Sequence, residues 1–402
     1  MSALPDDQSF DFESPVFRAH EGGKLGVHAT QPLRDRADLA LLYTPGVAEV
    51  SLAIAADPAL ATRYTARGNT VAVVSDGTAV LGLGDIGPLG ALPVMEGKAV
   101  LFKHFGGVDA VPVVMDSGTV DELVEAVARI APTYGGINLE DISAPRCFDI
   151  EEQLKERLDI PVFHDDQHGT AIVVLAALYN ALRVVEKDIT KIRVVLSGAG
   201  AAGTAILKLL LAAGVGHVVV ADIEGIVSKT RPGISGQLKW LADNTNPDNL
   251  ECSLKEALAG ADVFIGVSAP RVIDADDVAT MADRAIVFAL ANPEPEIDPA
   301  EATRYAEVVA TGRSDFPNQI NNVLAFPGVF RGLLDARSTD ITDGMLIAAA
   351  RALASVVGDD ELNATYITPS VFHADVHRRV AQAVRVAAGG PAELPTDTEV
   401  VA

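Results

Sequence analysis

Cationic side chains are scarce in this chain. Lysine and arginine number 31 against 55 aspartates and glutamates, which leaves a net charge of −24 and an isoelectric point near 4.6. Such a surface repels phosphate backbones and anionic lipid at long range, so neither nucleic acid nor a membrane surface is an expected partner. A small anionic substrate remains admissible if a metal ion or a cationic clamp neutralises it locally. Cysteine is scarcer still: Cys147 and Cys252 lie far apart without C-x-x-C spacing and read as reduced core thiols. Aromatic residues make up only 5%. The N-terminal "MSALPDDQSFDFESPVF" lacks a basic segment followed by an apolar core, and no apolar stretch is expected to approach a membrane span of about 18 residues. A signal peptide and a transmembrane helix are therefore not expected, and a cytoplasmic location is.

What the chain does have is length and small aliphatic side chains. Its 402 residues favour two domains, and a 49% hydrophobic content dominated by Ala, Val and Leu suits helices packed on a sheet. After an irregular polar start to about residue 30, "ADLALLYTPGVAEVSLAIA" carries a helical pattern broken at Pro45. Apolar runs "TVAVVSD", "VPVVMD", "GGINLEDI" and "IPVF" then alternate with helical segments such as "VDELVEAVARIAP". A long helix from Asp165 leads to a second series, "KIRVVL", "HVVVAD", "ADVFIGVS", "AIVFALANP" and "EVVATG". The pattern predicts an α/β fold. An N-terminal α/β domain for substrate and metal spans 1–164, and a Rossmann-type dinucleotide-binding domain with a parallel sheet spans 165–390 and carries the C-terminal helices. A disordered tail is expected over 391–402. "TDGMLIAAARALASVV" should open on a threonine or aspartate cap.

Two stretches fit G-x-G-x-x-G. "GAGAAG", Gly198-Ala199-Gly200-Ala201-Ala202-Gly203, follows the strand Ile192 to Leu196 and precedes "TAILKLLLAAG". There, glycines permit the tight turn and close pyrophosphate approach, and a helix N-terminus faces the negative charge. Asp222, 19 residues past Gly203, ends the next strand, where an acid accepts a ribose 2′-hydroxyl. Asp222 favours NAD, but Lys229 and Arg231 just beyond could hold the 2′-phosphate of NADP, so the cofactor is NAD or NADP. "GLGDIG" at 82–87 is followed by "PLGALPVMEGK", with two prolines and two glycines, and is expected to be a tight loop with no helix behind it.

Glu140 and Asp141 leave one predicted strand, Asp165 and Asp166 another. Solvated loop acids are the bland explanation; oxygen-only ligands of this kind otherwise suit Mg²⁺ or Mn²⁺. His164 and His168, four apart in "HDDQHGT", invite a zinc-hydrolase reading. Pro161 and the β-branched residue Val162 place a strand end at Phe163 or His164, however. That puts Asp165 and Asp166 at a helix N-terminus, leaves His164 outside the helix, and makes both histidines satisfied polar side chains. Lys98 and Tyr43 alone read as a surface lysine and a half-buried tyrosine.

Together, "YTPGVA", "SDGTAVLGLGDIGP", "PVMEGKA", "INLEDISAPRCF", "HDDQHGTA", "GAGAAG", "FALANP" and "PNQINNVLAFPG" resemble the malic enzymes, particularly the short bacterial form. The resemblance covers nearly the whole chain, from about 19 to 367. It implies Tyr43 as general acid, Lys98 as general base and Asp165 as the acid supporting that lysine. It implies Glu140, Asp141 and Asp166 as ligands of Mg²⁺ or Mn²⁺. Asn292 would touch cofactor and substrate, and Asn322 substrate. The implied reaction converts malate to pyruvate and CO₂ with reduction of NAD(P)⁺, in a homodimer with sites near the subunit interface. A base at Lys98 must be neutral part of the time, and lowering a lysine from about 10.4 to roughly 7 or 8 costs on the order of 3 to 5 kcal/mol. Longer members of the family carry a substrate-clamping arginine where this chain has Ala79, so that role is unassigned. A malolactic-type enzyme yielding lactate and a catalytically silent nucleotide-binding regulator are the rival functions.

Overall fold

The alternating apolar runs build two parallel sheets, one after the other along the chain. The computed structural model describes residues 10–391 apart from Leu81 and Ser117, so the tail expected at the C-terminus lies, from 392 onward, outside the described residues. α1 (Pro15–His20), α2 (Arg36–Leu42), α3 (Val47–Ala56) and α4 (Ala61–Tyr64) lead to β1 (Thr70–Ser75). Then come α5 (Gly87–Gly106), β2 (Asp109–Val114), α6 (Val120–Ile130), β3 (Gly136–Leu139), α7 (Arg146–Arg157) and β4 (Val162–His164). These strands pair in parallel in the order β2-β1-β3-β4.

A π-helical turn, Asp165–Gly169, runs directly into α8 (Thr170–Val185). The second sheet follows with β5 (Arg193–Ser197), α9 (Ala201–Ala212), β6 (His217–Asp222), β7 (Gly225–Ile226), α10 (Gly236–Asn244) and α11 (Leu254–Ala257). It continues through β8 (Val263–Gly266), α12 (Ala275–Ala279), β9 (Ala285–Ala289), α13 (Pro299–Ala302) and β10 (Ala306–Thr311). Its order is β10-β9-β8-β5-β6-β7, with the two-residue β7, not foreseen from the sequence, antiparallel to β6. α14 (Phe326–Ala336), α15 (Asp343–Ala354) and α16 (Val376–Ala387) close the chain, α15 capped by the Thr342 side chain as expected.

Both faces of each sheet are covered, which is why the strands read as continuous apolar runs. Val71 and Val73 point into one core and Ala72 and Val74 into another, the period of two that a strand imposes. The larger core is continuous from β1 through α8 to Val194 and Leu196 and on to the C-terminal helices. α8 is buried along almost its entire length and joins the two units from inside. The C-terminal helices return to the first unit: the Phe102 ring on α5 meets Phe326 and Phe330 of α14 at 4.7 and 5.2 Å, edge to face.

Three expectations need correction. The run after "GLGDIG" is not a loop but the first half of α5, and it does offer a helix N-terminus. Pro88 occupies the first turn, where a missing N–H is harmless, and the buried stripe of Ala91, Met95, Ala99 and Phe102 outweighs Pro93 and the glycines. Two 21-residue segments also reach the length and hydropathy of a membrane span, Arg36–Ala56 at 1.6 and Asp165–Val185 at 1.5. The second is 72% buried within the protein; the first is divided at Pro45 into α2 and α3. Finally, Cys147 is buried as foreseen, but Cys252 is only half-buried; both are free thiols.

Phe102→Ala removes the ring that staples α5 to α14. It should cost about 3–5 kcal/mol. Equilibrium urea unfolding should show this as a lower midpoint at an unchanged slope.

Candidate active site

β3 and β4 end side by side, with Leu139 in register with His164. The residues that follow, Glu140-Asp141 and Asp165-Asp166, therefore emerge together at the C-terminal edge of the first sheet. β1, between β2 and β3, is where strand order reverses, and ligands bind in the crevice at such a point. One carboxylate oxygen each from Glu140, Asp141 and Asp166 lie within 4.8 Å of one another. Asp141 takes a left-handed backbone conformation, φ 54°, and its N–H donates to Asp166 Oδ2 at 2.9 Å. Asn138 Nδ2 donates to Glu140 Oε2 at 2.9 Å.

Lys98, on α5, is buried rather than a surface residue. Its Nζ lies 2.6 Å from Asp165 Oδ2 and 2.8 Å from Glu140 Oε1, with the Phe326 ring centroid 4.3 Å away. Asn322 Nδ2 donates to the same Asp165 oxygen at 2.5 Å. The chain thus brings together Lys98, Glu140, Asp141, Asp165, Asp166 and Asn322. Burial alone would lower the Lys98 pKa, but Asp165, then Glu140, then Asp166 outweigh it and hold the ammonium well above the ordinary lysine range. Burial is also the largest influence on the acids, pushing Glu140 up to about 7 and Asp165 to about 6 against the pull of Lys98. Asp166 moves the same way, although 37% of its side chain is exposed and water screens part of the rise.

An all-oxygen cluster in which burial opposes the ionisation of Glu140 and Asp166 fits a hard divalent cation. Among the described residues that cluster includes no histidine, so it does not suit zinc. The histidines divide. His168 Nε2 lies 2.6 Å from Glu151 Oε1, whereas both ring nitrogens of His164 are buried without a hydrogen-bond partner, correcting the expectation that both are satisfied. Burial drives His164 down to about 4, so its ring is neutral. Glu151, on α7, also receives Gln167 Nε2 at 3.2 Å and Lys155 Nζ at 2.7 Å, bracing the turn that carries the two aspartates. Burial would raise Glu151, but His168 and Lys155 hold it well below the usual carboxylate range.

Sequence reasoning passed over Asn138 and Glu151, which stand inside ordinary strand and helix patterns. Arg146 was also passed over; it is 3.1 Å from Asp76, whose other oxygen accepts from Thr78. Ala79 N–H bonds Asp141 O at 3.0 Å, so the position noted for a missing arginine does lie at the site.

The second sheet supplies a cleft of about 1400 Å³ beside β5, lined by Gly198, Ala199, Gly200, Asp222, Arg231 and Ser268 and by Pro145 from the first unit. Gly203 lies so close beneath the turn that a Cβ there would stand 1.8 Å from Gly198 O. Ala201 and Ala202 open α9, and Gly200 faces open space, room that a pyrophosphate would occupy at a helix N-terminus. Asp222 Oδ1 accepts from Arg231 at 2.9 Å, and Glu224 takes another nitrogen of the same guanidinium. Asn292 follows β9, and its carbonyl comes near Gly82 of the β1–α5 loop.

Tyr43 is not brought to the cluster. It sits at the C-terminal end of α2 with 66% of its surface exposed, and its hydroxyl bonds none of Lys98, Glu140 or Asp165. No residue from 10 to 69 is buried.

Residues 22–155 match the family described as malic enzyme, N-terminal domain, and residues 167–388 match malic enzyme, NAD binding domain. The chain is 59% identical to an NAD-dependent malic enzyme of Geobacillus stearothermophilus, over 93% of this chain and 78% of that one. It is 53% identical to a bifunctional malic/malolactic enzyme of Bacillus subtilis, over 94% of each. The crystal structure of malic enzyme from Pyrococcus horikoshii superposes with a TM-score of 0.88 at 51% identity, covering 91% of this chain and 87% of that one.

The raised acids set a pH dependence. The folded-state pKa of Glu140 lies above the roughly 4 of an unfolded carboxyl, so the metal-free chain loses stability as pH rises from about 4 through about 7. A divalent cation held by the cluster would take the place of that proton, so the melting-temperature gain from Mg²⁺ or Mn²⁺ should grow between about pH 5.5 and about pH 7.5. A gain that is absent, or equal across that range, would contradict the cluster as the cation site.

Proposed function

The chain belongs to the malic enzyme family, and on that footing we propose how its own residues carry the reaction. The enzyme converts malate oxidatively to pyruvate and CO₂ with reduction of a nicotinamide dinucleotide. The observation that carries the residue assignment is the buried contact of Lys98 with Asp165 beside three converging carboxylates. Glu140, Asp141 and Asp166 would hold Mg²⁺ or Mn²⁺, which supplies Lewis-acid polarisation of the substrate's C2 oxygen. With those acids neutralised by a cation, the field that keeps Lys98 protonated falls back mainly to Asp165. Burial then lowers the amine toward the range of a general base. Lys98 takes the C2 hydroxyl proton as hydride leaves C2. Asp165, held by Asn322, keeps the amine aimed and shares its proton. Tyr43 returns a proton to C3 after CO₂ departs.

Tyr43 can do this only if it arrives from elsewhere, and we place it in the site of a second copy. Residues 10–69 form an arm without a buried residue, exposing Leu39, Leu41, Leu42, Val47, Val50 and Leu52 around Tyr43. Helices this short do not persist in water without tertiary packing. An apolar surface that contiguous calls for a partner, and a two-fold exchange of arms between identical chains provides one. The working enzyme is then a cytoplasmic homodimer divided near residues 164 and 165 into a substrate domain and a cofactor domain.

NAD is the preferred cofactor. Of the two cations that could meet a 2′-phosphate, Lys229 and Arg231, the second is already held by Asp222 and Glu224, and Asp222 repels the phosphate. A malolactic outcome is the second reading, prompted by the bifunctional relative of Bacillus subtilis.

Absorbance at 340 nm with malate and Mn²⁺ should rise steadily, faster with NAD than with NADP; a malolactic enzyme would make lactate with no accumulation. Lys98→Ala should reduce turnover by roughly 10²–10⁴-fold. The exchange of arms predicts complementation. Tyr43→Phe and Lys98→Ala, each inactive, should on mixing and reassembly recover up to about a quarter of the wild-type rate, because half the dimers are mixed and each mixed dimer has one intact site. Reassembled mixtures that stay inactive would place Tyr43 and Lys98 of each site on one chain.

A further inference from the structure

Glu296 is fully buried, yet among the described residues its carboxylate has no cationic partner. Its Oε1 accepts the Ser268 N–H at 2.7 Å and the Ser268 hydroxyl at 3.3 Å, and its Oε2 accepts the Ala291 N–H at 3.0 Å. Ser268 Oγ lies 2.8 Å from Ser197 Oγ. One side chain therefore ties together the segments leaving β8 and β9 and reaches the end of β5. β8 makes room for it: a Cβ on Gly266, the last residue of that strand, would stand 2.4 Å from Glu296 Cδ. Burial pushes the Glu296 carboxyl above its ordinary pKa, and the hydrogen bonds from Ala291 and Ser268 oppose that rise.

Its place gives it a use. The strand order reverses between β5 and β8, the switch point where a dinucleotide in this cleft would lie. Asp222, at the end of β6, marks the adenosine side, which leaves the loops after β8 and β9 for the nicotinamide half. Ser268 lines the cleft, and Asn292 follows Ala291 on the same turn, beside Gly82 of the catalytic unit.

We propose that Glu296 is a positioning residue for hydride transfer: by accepting from Ser268 and Ala291 together, it holds the nicotinamide-side rim, including Asn292, in register with the substrate. This rests on the reading of the cleft as the dinucleotide site. The carboxylate is required because an amide at this position would turn an NH₂ group toward one of two N–H donors.

The test is Glu296→Gln, studied with malate, NAD and ADP-ribose, which is NAD without its nicotinamide ring. ADP-ribose affinity should remain within about twofold of wild type while turnover falls roughly tenfold to a hundredfold, the scale of a small misplacement of reacting groups. The isotope effect with C2-deuterated malate should increase, since hydride transfer becomes slower than the other steps. If Glu296→Gln does not fold, Ser268→Ala keeps both backbone N–H contacts, loses only the hydroxyl contact, and should show the same pattern at smaller size. Turnover and isotope effect at wild-type values would overturn the proposal, as would an equal loss of ADP-ribose affinity and turnover, which marks general structural damage. An unmutated enzyme that does not reduce NAD with malate would instead overturn the reading beneath it.

Discussion

The ion pair between Lys98 and Asp165 is the constraint around which the molecule is arranged. It joins α5 of the first unit to the turn that begins α8, and Asn322 adds a third element to the same oxygen. A buried pair of this kind is weak evidence for stability, because desolvation offsets much of its attraction. Its value is positional. Removing either member would leave an uncompensated charge in the core, so the two units must meet in a way that keeps Lys98, Asp165 and Glu140 together.

The parallel sheets turn that constraint into a site. Strands of one direction place all their C-terminal ends on one edge, so four acids from two adjacent strands converge without being close in sequence. The second sheet repeats the device, and its strand ends set Gly198–Gly200, Asp222 and Ser268 around one cleft. Helix α8, buried between the units, fixes the distance between the two edges. Charge is treated in opposite ways on the two sides. The edge of the first sheet concentrates carboxylates around Lys98, whereas beside β6 of the second sheet Asp222 and Glu224 neutralise Arg231.

Much of this was legible from residues in a row. The strand runs, the glycine turn before α9 and the paired acids after β3 and β4 are local patterns whose physics is short-range. The run "PLGALPVMEGK" was misread because proline and glycine oppose a helix locally, while the stripe that rescues it packs against distant α14 and β2. His164 was misread for a similar reason: a histidine beside two aspartates looks solvated until the sheet buries it. Glu151 and Glu296 gave no signal, since an acid in "DIEEQLKER" or "NPEPE" is indistinguishable from a surface acid until its partners are known.

The sequence by itself determined the class of fold, the succession of two α/β units along the chain, and which residue types are available for oxygen ligation and dinucleotide binding. Each of those follows from periodicity or from neighbours a few residues away. Tertiary structure alone decided that Lys98 is buried between two carboxylates, that Arg231 is already occupied, and that Tyr43 stands outside its own chain's site. Those depend on contacts between segments tens of residues apart, or on a second chain, and no spacing along one strand of sequence encodes them.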